Sequence, residues 1–208
     1  MVTEYKKTYN AYPEITIITH SHGGNVALNM VHGNELQKPE FSINRLILLA
    51  CPVQYPTSSY ITHPLFKKSF ILFSPCDQIQ IIDPQRLHIF STNLKQAFEQ
   101  GSWKKFIDSF KATAGIPLFS SRTFSSHPSV QQVSLFWKDT APWTQQDIDP
   151  FKGYGSWIKK WADELNQKPG RGVAHLEFML PVFLLKLPEI IHHIDQNSVS
   201  NEPYSYYI

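Results

Sequence analysis

Ile15-Thr16-Ile17-Ile18-Thr19-His20-Ser21-His22-Gly23-Gly24-Asn25 is the stretch on which the fold turns. Ile15–Ile18 is an apolar, β-branched run behind Pro13, the composition of a short strand buried on both faces. Asn25 to Val31 then suits a helix. Thr19-His20-Ser21-His22-Gly23 stands where the strand gives way to the helix. A serine that holds its hydroxyl clear of a sheet needs a sharp turn there, and small flanking residues, because the helix packs close against the strand just left. Gly23 and Gly24 meet that need on the helix side. Thr19 is larger than the glycine that opens the G-x-S-x-G pattern, so the match is incomplete. The N–H of His22, with the start of the helix, would face a developing oxyanion. The plainer alternative is a serine in a glycine-assisted helix start. A phosphate loop is disfavoured, since neither G-x-x-x-x-G-K-[ST] nor G-x-G-x-x-G occurs.

Further apolar runs follow at Arg45–Ala50, closed by Cys51-Pro52, at Phe70–Phe73, closed by Ser74-Pro75, and at Val130–Trp137. Long or helical connections separate them, which favours a parallel sheet with crossovers over a meander. The predicted class is α/β, a mostly parallel sheet flanked by helices. Leu94, Ala97, Phe98, Phe106, Ile107 and Phe110 fit one helical face. Trp157, Ile158, Trp161 and Leu165 fit another, ending before Pro169-Gly170. A last helical region is expected from about Glu177 to Ile194, with Pro188 breaking it or starting its final segment. Thr57–His63 and Thr140–Gly155 read as loops.

A serine hydroxyl is a poor nucleophile until a base takes its proton, and the base needs an orienting acid. Asp77 follows the Phe70–Phe73 strand at its carboxyl end, where sites of parallel sheets assemble. Asp83 is the alternative acid, and a plain loop cap is the structural alternative for Asp77. His175 sits behind the glycine-rich stretch Gly170-Arg171-Gly172-Val173-Ala174, after the last of these strands, and is the preferred base. His127, His88 and the pair His192-His193 compete. His127 precedes the last strand and would stand at its wrong end, while His192 and His193 suit a helix surface or C-terminus.

Three stretches together resemble a known family. Tyr12–Asn25 resembles the nucleophile elbow of the α/β-hydrolases, especially lipase- and esterase-like members. Leu72-Phe73-Ser74-Pro75-Cys76-Asp77-Gln78-Ile79 is similar to their acid-bearing strand end. His175, followed by Leu187-Pro188-Glu189-Ile190-Ile191, is similar to their catalytic histidine and closing helix. The resemblance implies Ser21 as nucleophile, Asp77 as orienting acid and His175 as general base, with His22 lending the oxyanion amide. The implied reaction is hydrolysis of a carboxylic ester or lipid acyl bond through an acyl-enzyme. It implies that residues 1–195 form the C-terminal part of such a domain, with about 84–127 as an inserted helical cap and 196–208 as a flexible tail.

Two departures from the family shape further expectations. The segment between Asp77 and His175 is longer than usual. Only about fourteen residues precede the elbow strand, whereas the family has several strands there, one of which carries a second oxyanion amide. Met1 would then fall within the helix before the elbow. Ile15–Ile18 would be an apolar edge strand open to an upstream polypeptide or a second copy.

Composition narrows the remaining classes. The chain has 208 residues, 42% hydrophobic and 17% charged, which suits one globular domain with a sizeable core. A net charge of +2, with Lys67-Lys68, Lys104-Lys105 and Lys159-Lys160 scattered, gives no electrostatic case for nucleic acid. Cys51 and Cys76 make no disulfide framework, and no metal-binding pattern or cofactor motif is present. The longest apolar stretch, Phe178–Leu187, contains Pro181 and Lys186 and is short of the ~20 residues of a membrane span. Residues 1–12 carry no apolar signal core, so a cytoplasmic location is the default. The partner expected is a small-molecule or lipid ester. Phe119, Phe124, Trp137 and Trp143 are candidates for an acyl pocket, though such aromatics are more often core. The competing functions are a catalytically inactive hydrolase-fold module acting in binding or assembly, and an acyltransferase using the same triad.

Overall fold

The β-branched and leucine-rich runs form a five-stranded, all-parallel sheet in a computed structural model that describes residues 1–37, 41–77, 79–82, 95, 119–139, 169–197 and 202–208. The elements in chain order are α1 (Val2–Tyr9), β1 (Thr16–His20), α2 (Gly23–Leu28), α3 (Met30–Gln37), β2 (Arg45–Leu49), β3 (Ser69–Phe73), α4 (Ile79–Ile82), β4 (Val130–Phe136), α5 (Pro181–Leu184), α6 (Leu187–Gln196) and β5 (Tyr204–Tyr207), with 3-10 turns at Ser58–Thr62 and His175–Met179. The strands lie side by side in sequence order. The fold is therefore α/β, as the four apolar runs predicted. The faces expected over Leu94–Phe110 and Trp157–Leu165, most of the cap at 84–127, and Asp83, His88 and Trp143 lie outside the described residues.

The core lies on both faces of the sheet. Leu46 and Leu48 of β2, Ile71 of β3 and Val130 of β4 pack with Ala27, Leu28 and Val31 of α2 and α3. Ile47, Leu49, Phe70, Leu72, Val133 and Leu135 face the other way and meet Phe178, Phe183, Ile190 and Ile194. Residues alternate between faces along a strand, so an uninterrupted apolar run is what a sheet covered on both sides requires. Leu187, Ile190, Ile191 and Ile194 make one buried stripe on α6, each contributing roughly 1.5–3 kcal/mol by leaving water. Pro188 falls in the first turn of α6 and starts it, because the missing N–H is unneeded there. Asp195 at its far end pairs with Arg45 and Lys68, tying α6 to the starts of β2 and β3.

Three sequence expectations need adjustment. The Ile15–Ile18 run is not covered on both faces. Ile15 and Ile17 pack toward α2 and α3, but Thr16 is exposed and Ile18 is 53% exposed. β1 is the edge strand that the short stretch before it implied, paired among the described residues with β2 alone, and no described helix covers its second face. The tail expected over 196–208 is not loose throughout. Tyr204–Tyr207 forms β5, in parallel register with Val133–Phe136, and Tyr206 stacks on His193 of α6. The loop read at Thr57–His63 winds into a 3-10 turn over Ser58–Thr62.

α2 lies close against the end of β2. A Cβ on Gly24 would fall 2.3 Å from Cys51 Sγ and 2.9 Å from Cys51 Cβ, so glycine is required at that crossing. Burial pushes the Cys51 thiol up to about 12, leaving it a small apolar filler rather than a reactive group. Asn25 secures the same corner. Its side-chain amide donates to the Pro52 carbonyl at 2.9 Å, and Thr57 Oγ1 donates to its carbonyl oxygen at 2.5 Å. Gly24→Ala is expected to cost about 1–3 kcal/mol by overpacking. Urea unfolding of the variant measures it, and an unchanged midpoint would show that α2 does not crowd β2.

Candidate functional site

β1 ends in a turn that sets Ser21 apart from its neighbours. Ser21 has φ +54°, a left-handed conformation that costs a non-glycine residue about 1–3 kcal/mol. Two backbone bonds hold it there. Ser21 N–H donates to the Leu49 carbonyl at 2.8 Å, and Gly24 N–H donates to the Ser21 carbonyl at 3.0 Å. This is the strained strand-to-helix bend expected at that position. Thr19 does not obstruct it, since even a Cβ on Gly23 would stand 3.6 Å from Thr19 Cβ, an ordinary contact. His22 follows at the cap of α2, exposed, and its N–H donates to no group among the described residues.

Asp77 comes from the carboxyl end of β3 and is 1% exposed. Its Oδ1 accepts the Gln80 N–H at 3.1 Å, and its backbone carbonyl accepts from Arg122 Nη2 at 2.9 Å. Its Oδ2 accepts from His175 Nδ1 at 2.7 Å, with His175 7% exposed. A carboxylate can only accept, so the shared proton belongs to Nδ1, and Nε2 is the ring nitrogen left to meet another group. The two loops meet closely at Gly172, where a Cβ would fall 2.3 Å from Ser74 Oγ.

The turn that carries His175 is anchored by a second, fully buried carboxylate. Glu177 is 0% exposed. Its Oε1 and Oε2 accept from Arg171 Nη2 and Nη1 at 2.5 and 2.7 Å. Oε2 also accepts from the Ala174 N–H at 2.6 Å and from Trp137 Nε1 at 3.1 Å. The backbone joins in: Trp137 N–H donates to the Arg171 carbonyl at 2.8 Å and Val173 N–H to the Leu135 carbonyl at 3.2 Å. The His175 turn is thus bound to the end of β4 rather than free to swing. Sequence reasoning missed Arg171, Glu177 and Trp137 as a group. The one available signal was two opposite charges flanking a candidate base in an otherwise apolar stretch.

Ser21, Asp77 and His175 all project from the carboxyl-terminal edge of the sheet. The structure joins Asp77 to His175 and sets the His175 ring 4.6 Å from that of His20, the residue before Ser21. Among the described residues nothing is hydrogen-bonded to the Ser21 hydroxyl. His127 bridges to Val130 at the start of β4, the opposite edge. His192 and His193 lie on α6 and contact Gln196, Asn197 and Tyr206. The three described aromatics proposed for an acyl pocket do not converge: Phe119 is exposed, while Phe124 and Trp137 are buried on opposite sides of the sheet. A cavity of about 490 Å³ lies between β4, β5 and α6, lined by residues that include Trp137, Lys138, Lys186, Glu189 and Tyr206 but not by Ser21, Asp77 or His175. Among the described residues no His, Cys, Asp and Glu cluster could hold a metal ion, and no helix is long and apolar enough to cross a membrane.

No protein-family model, curated protein or solved structure matches the chain.

Removing one partner of a buried ion pair strands the other charge, which costs about 3–5 kcal/mol. Glu177→Ala is expected to lose that much in urea unfolding. A loss below about 1 kcal/mol, the range of exposed pairs, would mean that Glu177 does not anchor the turn.

Proposed function

We propose that the chain is a serine hydrolase of α/β-hydrolase type, acting on a carboxylic ester or lipid acyl bond. The observation that carries this reading is the buried hydrogen bond from His175 Nδ1 to Asp77, formed at the same sheet edge as the strained turn at Ser21. That residue types used in acyl transfer, widely spaced in sequence, come to one sheet edge supports this reading.

In the first step Ser21 Oγ attacks the acyl carbonyl carbon while His175 Nε2 takes the hydroxyl proton. Asp77 stabilises the imidazolium so formed and keeps its own charge. The carbonyl oxygen becomes an oxyanion that accepts from the His22 N–H. Collapse breaks the ester C–O bond, His175 returns the proton to the leaving alcohol, and an acyl-serine remains. Water repeats the sequence, with His175 as base and Ser21 as leaving group. The outer side of β1, unpaired among the described residues, is where a strand from another polypeptide or a second copy would complete the sheet.

A second reading is a hydrolase-fold module that binds without turning over. The Ser21 hydroxyl lacks a hydrogen bond to His175, which favours it, and the first reading assigns a single oxyanion donor, the His22 N–H. Loss of one such donor alone lowers turnover by about 10²–10³.

An alkyl fluorophosphonate separates the two readings, because only an activated serine displaces the fluoride. The wild type is expected to take up one probe, with the adduct mapped to Ser21. Ser21→Ala and His175→Ala should abolish uptake, and His127→Ala should retain it. A folded wild type that takes up no probe would establish the silent module instead.

A further inference from the structure

We propose that His20 is a positioning residue for His175, holding the base-bearing turn to the strand that carries the nucleophile. This rests on the hydrolase reading above. His20 is the last residue of β1, and its ring Nε2 lies 2.9 Å from the His175 backbone carbonyl. A carbonyl only accepts, so Nε2 carries the proton and donates it. The two imidazole rings pack with centroids 4.6 Å apart and planes inclined by 55°.

The position of this contact gives it its meaning. Asp77 orients His175 from β3, and Glu177 anchors its turn to β4. Neither touches β1. The His20 bond runs from β1 directly to the His175 turn. Ser21 is the next residue, so this bond ties the chain beside the nucleophile to the turn that carries its base. Thr16 and Ile18, on the same face of β1, are exposed. The strand is therefore held on that face at its reactive end.

The protonation state suits the role. Burial lowers the affinity of His20 for a second proton, and the neighbouring His175 adds to this. The His175 carbonyl and the Asp77 carboxylate act in the opposite sense without reversing it. A neutral His20 donates to the carbonyl without placing a cation beside the imidazolium that forms on His175.

Two variants of the full chain separate the donor from the ring. His20→Phe keeps a ring and removes the donor; His20→Gln restores an N–H at about the reach of Nε2. Fluorophosphonate labelling is expected to slow about 10- to 100-fold in His20→Phe, the scale of a small misplacement of reacting groups, and to recover most of that in His20→Gln. A second readout does not require an active serine. Carbethoxylation of His175 by diethylpyrocarbonate, mapped by peptide mass, should be about fivefold faster in His20→Phe, as expected when local opening loses one hydrogen bond. It should return toward the wild-type rate in His20→Gln. A wild type that takes up no phosphonate defeats the hydrolase reading, while the carbethoxylation series still decides whether His20 holds His175. His20→Phe matching the wild type in carbethoxylation, or His20→Gln as reactive as His20→Phe, overturns the proposal.

Discussion

The bond between His175 and Asp77 spans 98 residues of chain and is buried at both ends. A carboxylate removed from water is costly unless donors surround it. Asp77 meets that condition with the Gln80 amide on one oxygen and the His175 imidazole on the other. The requirement is structural before it is chemical, since the fold brings residue 175 back to the sheet edge where β3 ends. The same geometry leaves Nε2 of His175 turned away from Asp77, at an edge that also bears a strained serine.

Two carboxylates divide the work at this edge. Asp77 orients an imidazole, and Glu177 fixes the turn on which the imidazole stands. Glu177 gathers donors from Arg171, Ala174 and Trp137, so the turn leans on the buried core through the Trp137 ring. The positive φ of Ser21 is sustained in the same way, by bonds to Leu49 and Gly24 and by a glycine where α2 crosses Cys51. Rigid surroundings of this kind allow a residue to remain in a costly conformation.

Much of this fold was legible because parallel strands covered on both sides must be apolar without interruption. Arg45–Ala50 and Phe70–Phe73 have that character, and β2 and β3 match them to within a residue. β1 has the same composition, yet it lies at the edge with one face open. Composition cannot distinguish the two cases, because the covering helix, not the strand, decides burial. Tyr204–Tyr207 was unreadable for the opposite reason. Its alternation of tyrosine and serine follows a polar stretch, and it becomes a strand only because β4 offers an open edge. At the site, Asp77 and His175 could be selected from their places at strand ends. Arg171 and Glu177 could not be recognised as partners, since a buried ion pair six residues apart leaves no periodic mark in a loop. His20 was passed over because its partner is a backbone carbonyl, which no side-chain pattern reports.

Proton NMR of the imidazole N–H region tests the Asp77–His175 bond most directly. An imidazole proton held on a buried carboxylate is protected from exchange and strongly shifted downfield. The wild type should show one such resonance, assigned to His175 Nδ1–H, and Asp77→Asn should lose it while remaining folded. A folded wild type without that resonance, or one whose resonance survives in Asp77→Asn, would contradict the pairing.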